Sequence, residues 1–272
     1  MSNEPLKDPV RYEVENGVAR LTLDRPQAMN ALDLDLLSRL REWVSEAVAD
    51  HGVGALLITG AGPAFCAGGD VRALRQLASS PSPREVALDA VETMHQTLLE
   101  LYRCPKPVVA AVNGATAGAG IGLMLTADLI WAGRSAHFTL AFTAIGASPD
   151  GGTTFLLPRV VGPKLAAELL LTNRRLDADS ALAAGLVSQV SDDETLLPRA
   201  EATAACLAAG PSSAFASAKE LLRRSVYQGY EAQLEEERQR VAASAGGADF
   251  REGVTAFLEK RPPSFRRGPS ET

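Results

Sequence analysis

Two short glycine-rich stretches are the residues best suited to chemistry in this chain. They are AFCAGGD at 64–70 and NGATAGAG at 113–120, and each follows an apolar, strand-like run. Glycine lets an oxygen approach the backbone closely, and the first N–H groups of a helix lack internal partners. Two such strand-to-helix turns therefore predict an oxyanion hole that holds one carbonyl oxygen from two sides. For either turn taken alone, the alternative is a tight connection without a ligand.

Asp150 is the second candidate, because it stands between Pro149 and the pair Gly151-Gly152. One carboxylate can take a proton from one carbon and return it to another, provided that both carbons lie within its reach. The same position is also typical of a helix N-cap, where the helix favours the ionised carboxylate and lowers its basicity. From the residues alone, the N-cap is the simpler interpretation.

Histidine and cysteine add no further catalytic group to these candidates. The histidines His51, His95 and His137 are dispersed along the chain and predict neither a catalytic triad nor a metal cluster. Three cysteines are scattered without CxxC spacing, which makes a zinc site improbable and indicates a reducing compartment. We therefore expect no metal.

Composition limits the class of protein. The chain has 272 residues, of which 46% are hydrophobic, and its net charge is −6. This length allows one large domain or a domain with an appendage, and the acidic balance argues against nucleic acid or an anionic membrane as the main partner. The first residues lack the pattern of a signal peptide, and the apolar runs are shorter than the ~18 to 20 residues of a membrane span. We expect a cytoplasmic protein.

The elements that must position the glycine turns are short strands alternating with helices. The predicted strands are 10–14, 18–23, 55–58, 108–112 and 129–131, with a hairpin signal at Asn16-Gly17. A helix is predicted over 34–48, with Asp33 as its N-cap. From about Leu196 the strand signals stop, and three helical patterns follow that are separated near Gly210-Pro211 and Gly246-Gly247.

Many further motifs occur along the chain in one order and spacing. They are LDRP at 23–26, NAL at 30–32, LITG at 57–60, FCAGGD at 65–70, KPVVAAVNG at 106–114, ADL at 127–129, PDGGT at 149–153, AGLV at 184–187 and EGVTAFLEKR at 252–261. In these motifs the chain resembles the crotonase (enoyl-CoA hydratase/isomerase) superfamily over nearly its whole length. Within it, the resemblance is greatest to the ring-epoxyphenylacetyl-CoA isomerases of bacterial phenylacetate degradation.

The resemblance implies a fold and an assembly. The fold is α/β, a ClpP-like spiral of ββα units, with a crotonase core over residues 1–195 that holds the acyl-CoA site. Residues 196–272 would form a C-terminal helical region for oligomerisation, giving a homotrimer or a dimer of trimers. By the same resemblance, the oxyanion donors are the backbone N–H groups of Gly69 and Ala119, whereas Asp70 and Asp128 are structural.

The resemblance also implies a reaction. The family's hydratases use two glutamates, and the matching positions here hold Gly122 and Phe142, neither of which can carry a proton. Asp150 matches the position from which isomerases present their acidic residue. The expected function is thus an acyl-CoA isomerase that shifts a double bond or opens a ring epoxide. Two alternatives remain open, an enoyl-CoA hydratase that uses other groups and a catalytically inactive acyl-CoA-binding homologue.

Coenzyme A would enter as part of the substrate, so no separate cofactor is expected. The resemblance assigns adenine to the backbone of Phe65 and Ala67, and phosphates to Arg25 and Arg72. Phe257 and Lys260 would approach the nucleotide of a neighbouring subunit. The residues that would line the acyl pocket are Gly122, Phe142, Met94 and His95.

Overall fold

Two β-sheets form the centre of the computed structural model, which describes residues 8–265. The larger sheet contains, in spatial order, β1 (Val10–Glu15), β2 (Val18–Leu23), β3 (Ala55–Gly60), β5 (Val108–Val112), β7 (Leu129–Gly133) and β10 (Gln189–Ser191). The smaller sheet contains β4 (Ala64–Cys66), β6 (Ala115–Ala117), β8 (His137–Thr139) and β9 (Leu176–Asp177). From β2 to β10 the larger sheet is parallel, which requires crossover connections between its strands.

Helices supply those crossovers and cover the sheets. Their bounds are α1 (Leu34–Ala49), α2 (Val71–Ala78), α3 (Pro83–Arg103), α4 (Ala119–Leu125), α5 (Thr153–Val161), α6 (Pro163–Thr172), α7 (Ala178–Ala183), α8 (Asp193–Ala208), α9 (Ser212–Ser225), α10 (Tyr230–Ala245) and α11 (Ala248–Glu259). Single 3₁₀ turns occur at Pro26–Ala28 and Thr143–Ile145. The predicted α/β class is confirmed.

Local sequence signals account for the first elements. β1 and β2 pair antiparallel around Asn16 (φ 50°) and Gly17 (φ 73°), as the hairpin signal predicts. The N–H of Leu36 donates to Asp33 Oδ1 over 2.9 Å, so Asp33 caps α1 as expected. α1 then buries Leu40 and Val44 in the main core cluster.

The C-terminal helices differ from the prediction in two ways. α8 begins at Asp193 and packs Leu196 and Ala200 against Leu57 and Val109 of the larger sheet, so the predicted boundary at 195/196 falls inside a helix that belongs to the core. The middle of the three predicted helical patterns is split by a turn at 226–229 into α9 and α10. α8 crosses the predicted boundary because it buries an alanine-rich face against the larger sheet. The length of the chain and its hydrophobic periodicity do not reveal this packing.

The smaller sheet places the two glycine turns side by side. β4 pairs with β6 in parallel, with a register shift between Ala64 and Cys66. Parallel neighbours end at the same edge of a sheet, so the chain leaves both strands at one place. There it enters α2 after Asp70 and α4 after Gly118.

Candidate active site

The two glycine turns touch each other through their backbones. Gly68 has φ +88° and Gly118 has φ +51°, conformations that L side chains rarely adopt. A Cβ on Gly68 would lie 2.8 Å from the carbonyl oxygen of Ala117 and 3.5 Å from the nitrogen of Ala119. Glycine at position 68 is therefore required for the approach of the first turn to the start of α4.

Both predicted donors have N–H groups that the local pairing does not use. Leu32 bridges the first turn, with its N–H donating to Gly68 O over 2.7 Å and its carbonyl accepting from Asp70 N over 3.0 Å. This pairing leaves out the N–H of Gly69, which lies between the two contacts. Ala119 is the first residue of α4, a position whose N–H has no intrahelical acceptor. These features support the predicted oxyanion hole.

Asp70 stabilises the first glycine turn through its side-chain contacts, as predicted for a structural residue. Its side chain accepts from Arg72 N over 2.8 Å and caps α2, and it also pairs with Arg25 Nη2 over 3.1 Å. Burial raises the pKa of Asp70, but the hydrogen bond from Arg72 N and the pairing with Arg25 outweigh it and hold this pKa below its usual value. The turn is thus held by an ionised carboxylate.

Arg25 is occupied by protein partners rather than open to a phosphate. Its Nη1 donates to Ala31 O over 2.7 Å and lies 2.9 Å from Asp33 Oδ2, while Nη2 reaches Asp70. Only about a fifth of its side chain is exposed, at 21%. Arg25 therefore joins the starts of α1 and α2. These contacts argue against the predicted binding of a phosphate by Arg25.

Asp128 is structural, as predicted. Its Oδ2 accepts from Val108 N over 2.7 Å and from Lys219 Nζ over 2.5 Å. The carboxylate therefore ties the start of β5 to α9.

The segment that carries Asp150 lies directly on α4. A Cβ on Gly122 would come within 2.2 Å of the carbonyl oxygen of Gly151, and a Cβ on Gly151 would lie 3.4 Å from the Cα of Ala119. The absence of a side chain at Gly122 is what permits this approach. Asp150 is thereby placed beside the turn that presents the N–H of Ala119.

The side chain of Asp150 is not the N-cap of α5, which corrects one interpretation of the sequence. α5 begins at Thr153 with Gly152 as its N-cap residue. Thr153 donates from N over 3.1 Å and from Oγ1 over 2.8 Å, but to the main-chain carbonyl of Asp150. The buried Oδ1 of Asp150 finds no hydrogen-bond partner among residues 8–265. A carboxylate oxygen left in this way keeps its capacity to accept a proton or a hydrogen bond.

Burial makes Asp150 more basic than an ordinary aspartate. Desolvation of the carboxylate raises its pKa, and the positive charge of His95 acts in the opposite direction. The net shift is upward. In its ionised form, a carboxylate with a raised pKa is a stronger proton acceptor than an ordinary aspartate.

A cavity of about 310 Å³ opens next to the Asp150 segment. Its lining residues come from α3, the C-cap of α4, the glycines before α5, α5 itself and the turn after α9: His95, Leu98, Leu99, Tyr102, Thr126, Gly151, Gly152, Phe155, Leu156 and Tyr227. Of the residues predicted for an acyl pocket, His95 lines it. Met94 and Phe142 lie instead in the main core cluster, and Gly122 is covered by Gly151. These three residues therefore do not line this cavity.

Phe142 packs against the second glycine turn. A Cβ on Gly118 would lie 3.8 Å from its ring, so the ring supports the second glycine turn from the core side. Phe142 is 7% exposed. It therefore limits the space beside the backbone of the second glycine turn.

The aromatic wall of the cavity was missed by sequence reasoning. The rings of Phe155 and Tyr227 stack with centroids 5.8 Å apart, and the Arg159 guanidinium lies 3.6 Å above the Phe155 ring. Burial first, and then the neighbouring Tyr227, raise the pKa of Tyr102. Tyr227 and Phe155 are 72 positions apart, so no local signal could have paired them.

The remaining residues predicted for coenzyme A are dispersed over the chain. Phe65 is fully buried, and Ala67 N donates to Met29 O over 3.0 Å. Arg72 is exposed at the start of α2. Phe257 is 83% exposed near the end of α11, and Lys260 is exposed just beyond it, so both are accessible to a neighbouring subunit.

Within residues 8–265, no three histidine, cysteine or acidic side chains are grouped so as to hold a metal ion. The helices of this range include none that is long and apolar enough to span a membrane.

Comparison with known proteins relates this site to one family. The family described as enoyl-CoA hydratase/isomerase matches residues 13–268. A Rhodobacter capsulatus protein named as a probable enoyl-CoA hydratase is 42% identical, with 94% of this chain and 97% of the relative covered. The 1,2-epoxyphenylacetyl-CoA isomerase of Escherichia coli K12 is 38% identical, with 93% and 96% covered.

Solved structures agree with this relation. The crystal structure of an enoyl-CoA hydratase from Polaromonas sp. JS666 superposes with a TM-score of 0.91 at 33% identity, covering 94% of this chain and 99% of that one. Similar proteins thus include hydratases and isomerases at comparable identity, so the comparisons do not separate the two reactions.

Proposed function

The chain belongs to the enoyl-CoA hydratase/isomerase family and has its crotonase fold, and we propose that within this family it is an acyl-CoA isomerase. Family members act on acyl-CoA thioesters, and the finer assignment rests on Asp150 and the two glycine turns. The reaction is a shift of a double bond or the opening of a ring epoxide in the acyl group. The E. coli relative named as 1,2-epoxyphenylacetyl-CoA isomerase supports the ring-epoxide variant.

The mechanism needs one proton acceptor and one oxyanion hole. Asp150 removes a proton from a carbon of the acyl group, and the electrons move into the thioester carbonyl to form an enolate. The N–H groups of Gly69 and Ala119 stabilise the charge that develops on that oxygen. Asp150 then returns the proton to a second carbon of the conjugated system, so that no water is consumed.

The unpartnered, buried Oδ1 of Asp150 is the observation that carries this proposal. Leaving a buried carboxylate oxygen without a partner costs stability, which a merely structural aspartate would avoid. The pKa of Asp150 is raised by burial, as a general base requires. Gly122 is covered by Gly151 and Phe142 is in the core, so the two-glutamate chemistry of hydration has no counterpart at these positions.

Binding of coenzyme A and assembly are part of the same proposal. The backbone at Ala67 would meet the adenine, whereas Phe65 is too deeply buried to do so, and the exposed Arg72 would meet a phosphate. Phe257 and Lys260 would complete the nucleotide site of a neighbouring subunit in a homotrimer or a dimer of trimers. Their exposure in the single chain supports this assignment.

Enoyl-CoA hydratase is the second candidate, because the R. capsulatus relative at 42% identity carries that name. The experiment that separates the candidates is incubation of 2- and 3-hexenoyl-CoA with the protein in deuterated water, followed by mass analysis. Isomerisation predicts migration of the double bond without gain of water. Gain of one water would support the hydratase, and tight binding with neither change would indicate an inactive acyl-CoA-binding homologue.

A further inference from the structure

The cavity begins beside the second glycine turn. Gly151 lines the cavity, and a Cβ on Gly151 would lie 3.4 Å from the Cα of Ala119, the predicted oxyanion donor. Thr126, the C-cap of α4, lines the same cavity at the other end of that helix. An α-helix rises about 1.5 Å per residue, so the two ends of α4 lie roughly 10 Å apart. An acyl group whose carbonyl oxygen is bound by Ala119 N–H can therefore extend along α4 into the cavity.

The sides of the cavity are suited to a hydrocarbon chain. α3 contributes Leu98 and Leu99, and α5 contributes Leu156. Leu98 is buried, and Leu156 packs against the main core cluster. Apolar side chains of this kind stabilise an acyl chain by removing it from water. The length of chain that fits then depends on what closes the far end.

α9 lies at that far end. Lys219 Nζ on α9 donates to Oδ2 of Asp128, just beyond the end of α4, over 2.5 Å. One turn later on α9, Arg223 Nη1 donates to the carbonyl oxygen of Tyr102, near the end of α3, over 2.8 Å. The C-terminal ends of α3 and α4 therefore meet α9 at the end of the cavity that is remote from the second glycine turn.

Tyr227 closes this end. It lies in the turn between α9 and α10, and no other lining residue in the described chain comes from beyond α5. Its ring stacks on that of Phe155, with centroids 5.8 Å apart and an angle of 14° between the ring planes. Tyr227 is 70% exposed, so its outer side faces solvent. The ring therefore separates the cavity from solvent.

We propose that Tyr227 is a specificity-determining residue, whose ring ends the cavity and limits the acyl chain to about eight carbons. The limit follows from the length of α4, because an extended chain advances about 1.2 Å per bond and roughly 10 Å is available. This inference rests on the proposed function, since it requires an acyl group in the cavity. It adds a substrate class, acyl groups of medium length.

The affinity for acyl-CoA should rise with chain length up to this limit and no further. Each methylene that leaves water raises the affinity by up to about fourfold. In the wild type, affinity should therefore increase from butanoyl-CoA to octanoyl-CoA. Dodecanoyl-CoA should bind no more tightly than octanoyl-CoA, because its last carbons meet Tyr227.

The test is isothermal titration of the full chain with octanoyl-CoA and dodecanoyl-CoA. Tyr227→Ala opens the end of the cavity, so four further methylenes can pass along Phe155. Dodecanoyl-CoA should then bind at least about tenfold more tightly than octanoyl-CoA. Tyr227→Phe keeps the ring and should keep the wild-type ratio of the two dissociation constants.

Tyr230→Ala is the matched control, because Tyr230 is 78% exposed and is absent from the cavity lining. It should leave the ratio unchanged. Circular dichroism establishes folding, and Tyr227→Leu, which also removes the ring, provides a second variant if alanine destabilises the turn. A wild-type ratio in folded variants that lack the ring, or an equal change in Tyr230→Ala, would overturn the proposal.

Binding of saturated acyl-CoA separates this inference from the proposed function, because it involves no double bond. If the wild type does not isomerise 3-octenoyl-CoA but the ratio changes in Tyr227→Ala, the proposed function fails and the limit set by Tyr227 stands. If the wild type isomerises 3-octenoyl-CoA and the ratio does not change, only the role of Tyr227 fails. Equal affinity of the wild type for butanoyl-CoA and octanoyl-CoA would show that the cavity does not hold the acyl chain, which also overturns the proposal.

Discussion

The carbonyl oxygen of Gly151 lies so close to Gly122 that a Cβ on Gly122 would come within 2.2 Å of it. Both atoms belong to the backbone or are fixed to it, so rotation of a side chain cannot relieve the contact. Position 122, which the resemblance matches to a glutamate of the family's hydratases, is therefore closed by the segment that carries Asp150. The protein can therefore hold the Asp150 segment in this place or carry an acidic side chain at position 122, but not both.

Gly122→Ala should consequently displace the Asp150 segment. We expect a loss of stability of about 1–3 kcal/mol, as for other overpacked sites, together with a fall in isomerisation. Thermal unfolding and product analysis measure the two effects. Gly246→Ala is the control, because a Cβ there would meet nothing within 4 Å. A Gly122→Glu variant that hydrates enoyl-CoA efficiently would contradict the exclusion.

Ala119→Pro tests the oxyanion donor. Proline removes the N–H, and the first helical position tolerates its ring, so the fold should persist while kcat falls by ~10²- to 10³-fold. Ala119→Gly retains the N–H and should remain within a few-fold of the wild type. Circular dichroism establishes folding. Unchanged turnover in a folded Ala119→Pro protein would remove Ala119 from the mechanism.

Asp150→Asn should stabilise the fold at neutral pH. Because burial raises the pKa of Asp150, the folded state holds this proton more tightly than the unfolded chain. Ionisation therefore destabilises the folded state as the pH rises through the folded pKa, and asparagine escapes that cost. We expect a higher Tm at pH 7 for the variant, with a gain that disappears as the pH falls.

Asp177→Ala is the control for thermal unfolding of Asp150→Asn, because its expected change in Tm at pH 7 has the opposite sign. The hydrogen bonds from Ser180 lower the pKa of Asp177, which caps α7. Its loss should lower Tm at pH 7, and the difference should fade as the pH falls through the lowered pKa. A Tm of Asp150→Asn at pH 7 no higher than that of the wild type would argue against a raised Asp150 pKa.

A chain that ends at Gly246 tests the proposed contribution of the last helix to assembly. It lacks Phe257 and Lys260, and Phe257 is 83% exposed in the single chain. We expect a smaller particle in sedimentation and weaker binding of coenzyme A, because the apolar face and the nucleotide contact are lost together. A full-length protein that sediments as a monomer and binds acyl-CoA tightly would contradict this assignment.

The sequence was sufficient where a local signal decides the structure. The Asn16-Gly17 hairpin and the Asp33 cap follow from turn and capping chemistry within a few residues. The glycine turns at Gly68 and Gly118 were predictable for the same reason, because only glycine readily adopts their positive φ values.

Long-range packing decided the rest. Gly151 (φ +59°) and Gly152 (φ +72°) adopt left-handed conformations, so α5 begins only at Thr153. Asp150 therefore precedes the N-cap of α5, in a segment that packs against α4. The wall formed by Phe155 and Tyr227 joins elements that are distant in the chain. No periodicity within one element could have predicted either feature.

The most direct test of the account is the isomerisation rate of Asp150→Asn in deuterated water. Asparagine has nearly the same size but accepts no proton, so binding of acyl-CoA should be retained while double-bond migration and deuterium incorporation fall by ~10²- to 10⁴-fold. Isomerisation by this variant at close to the wild-type rate would show that Asp150 is structural and that the mechanism is wrong.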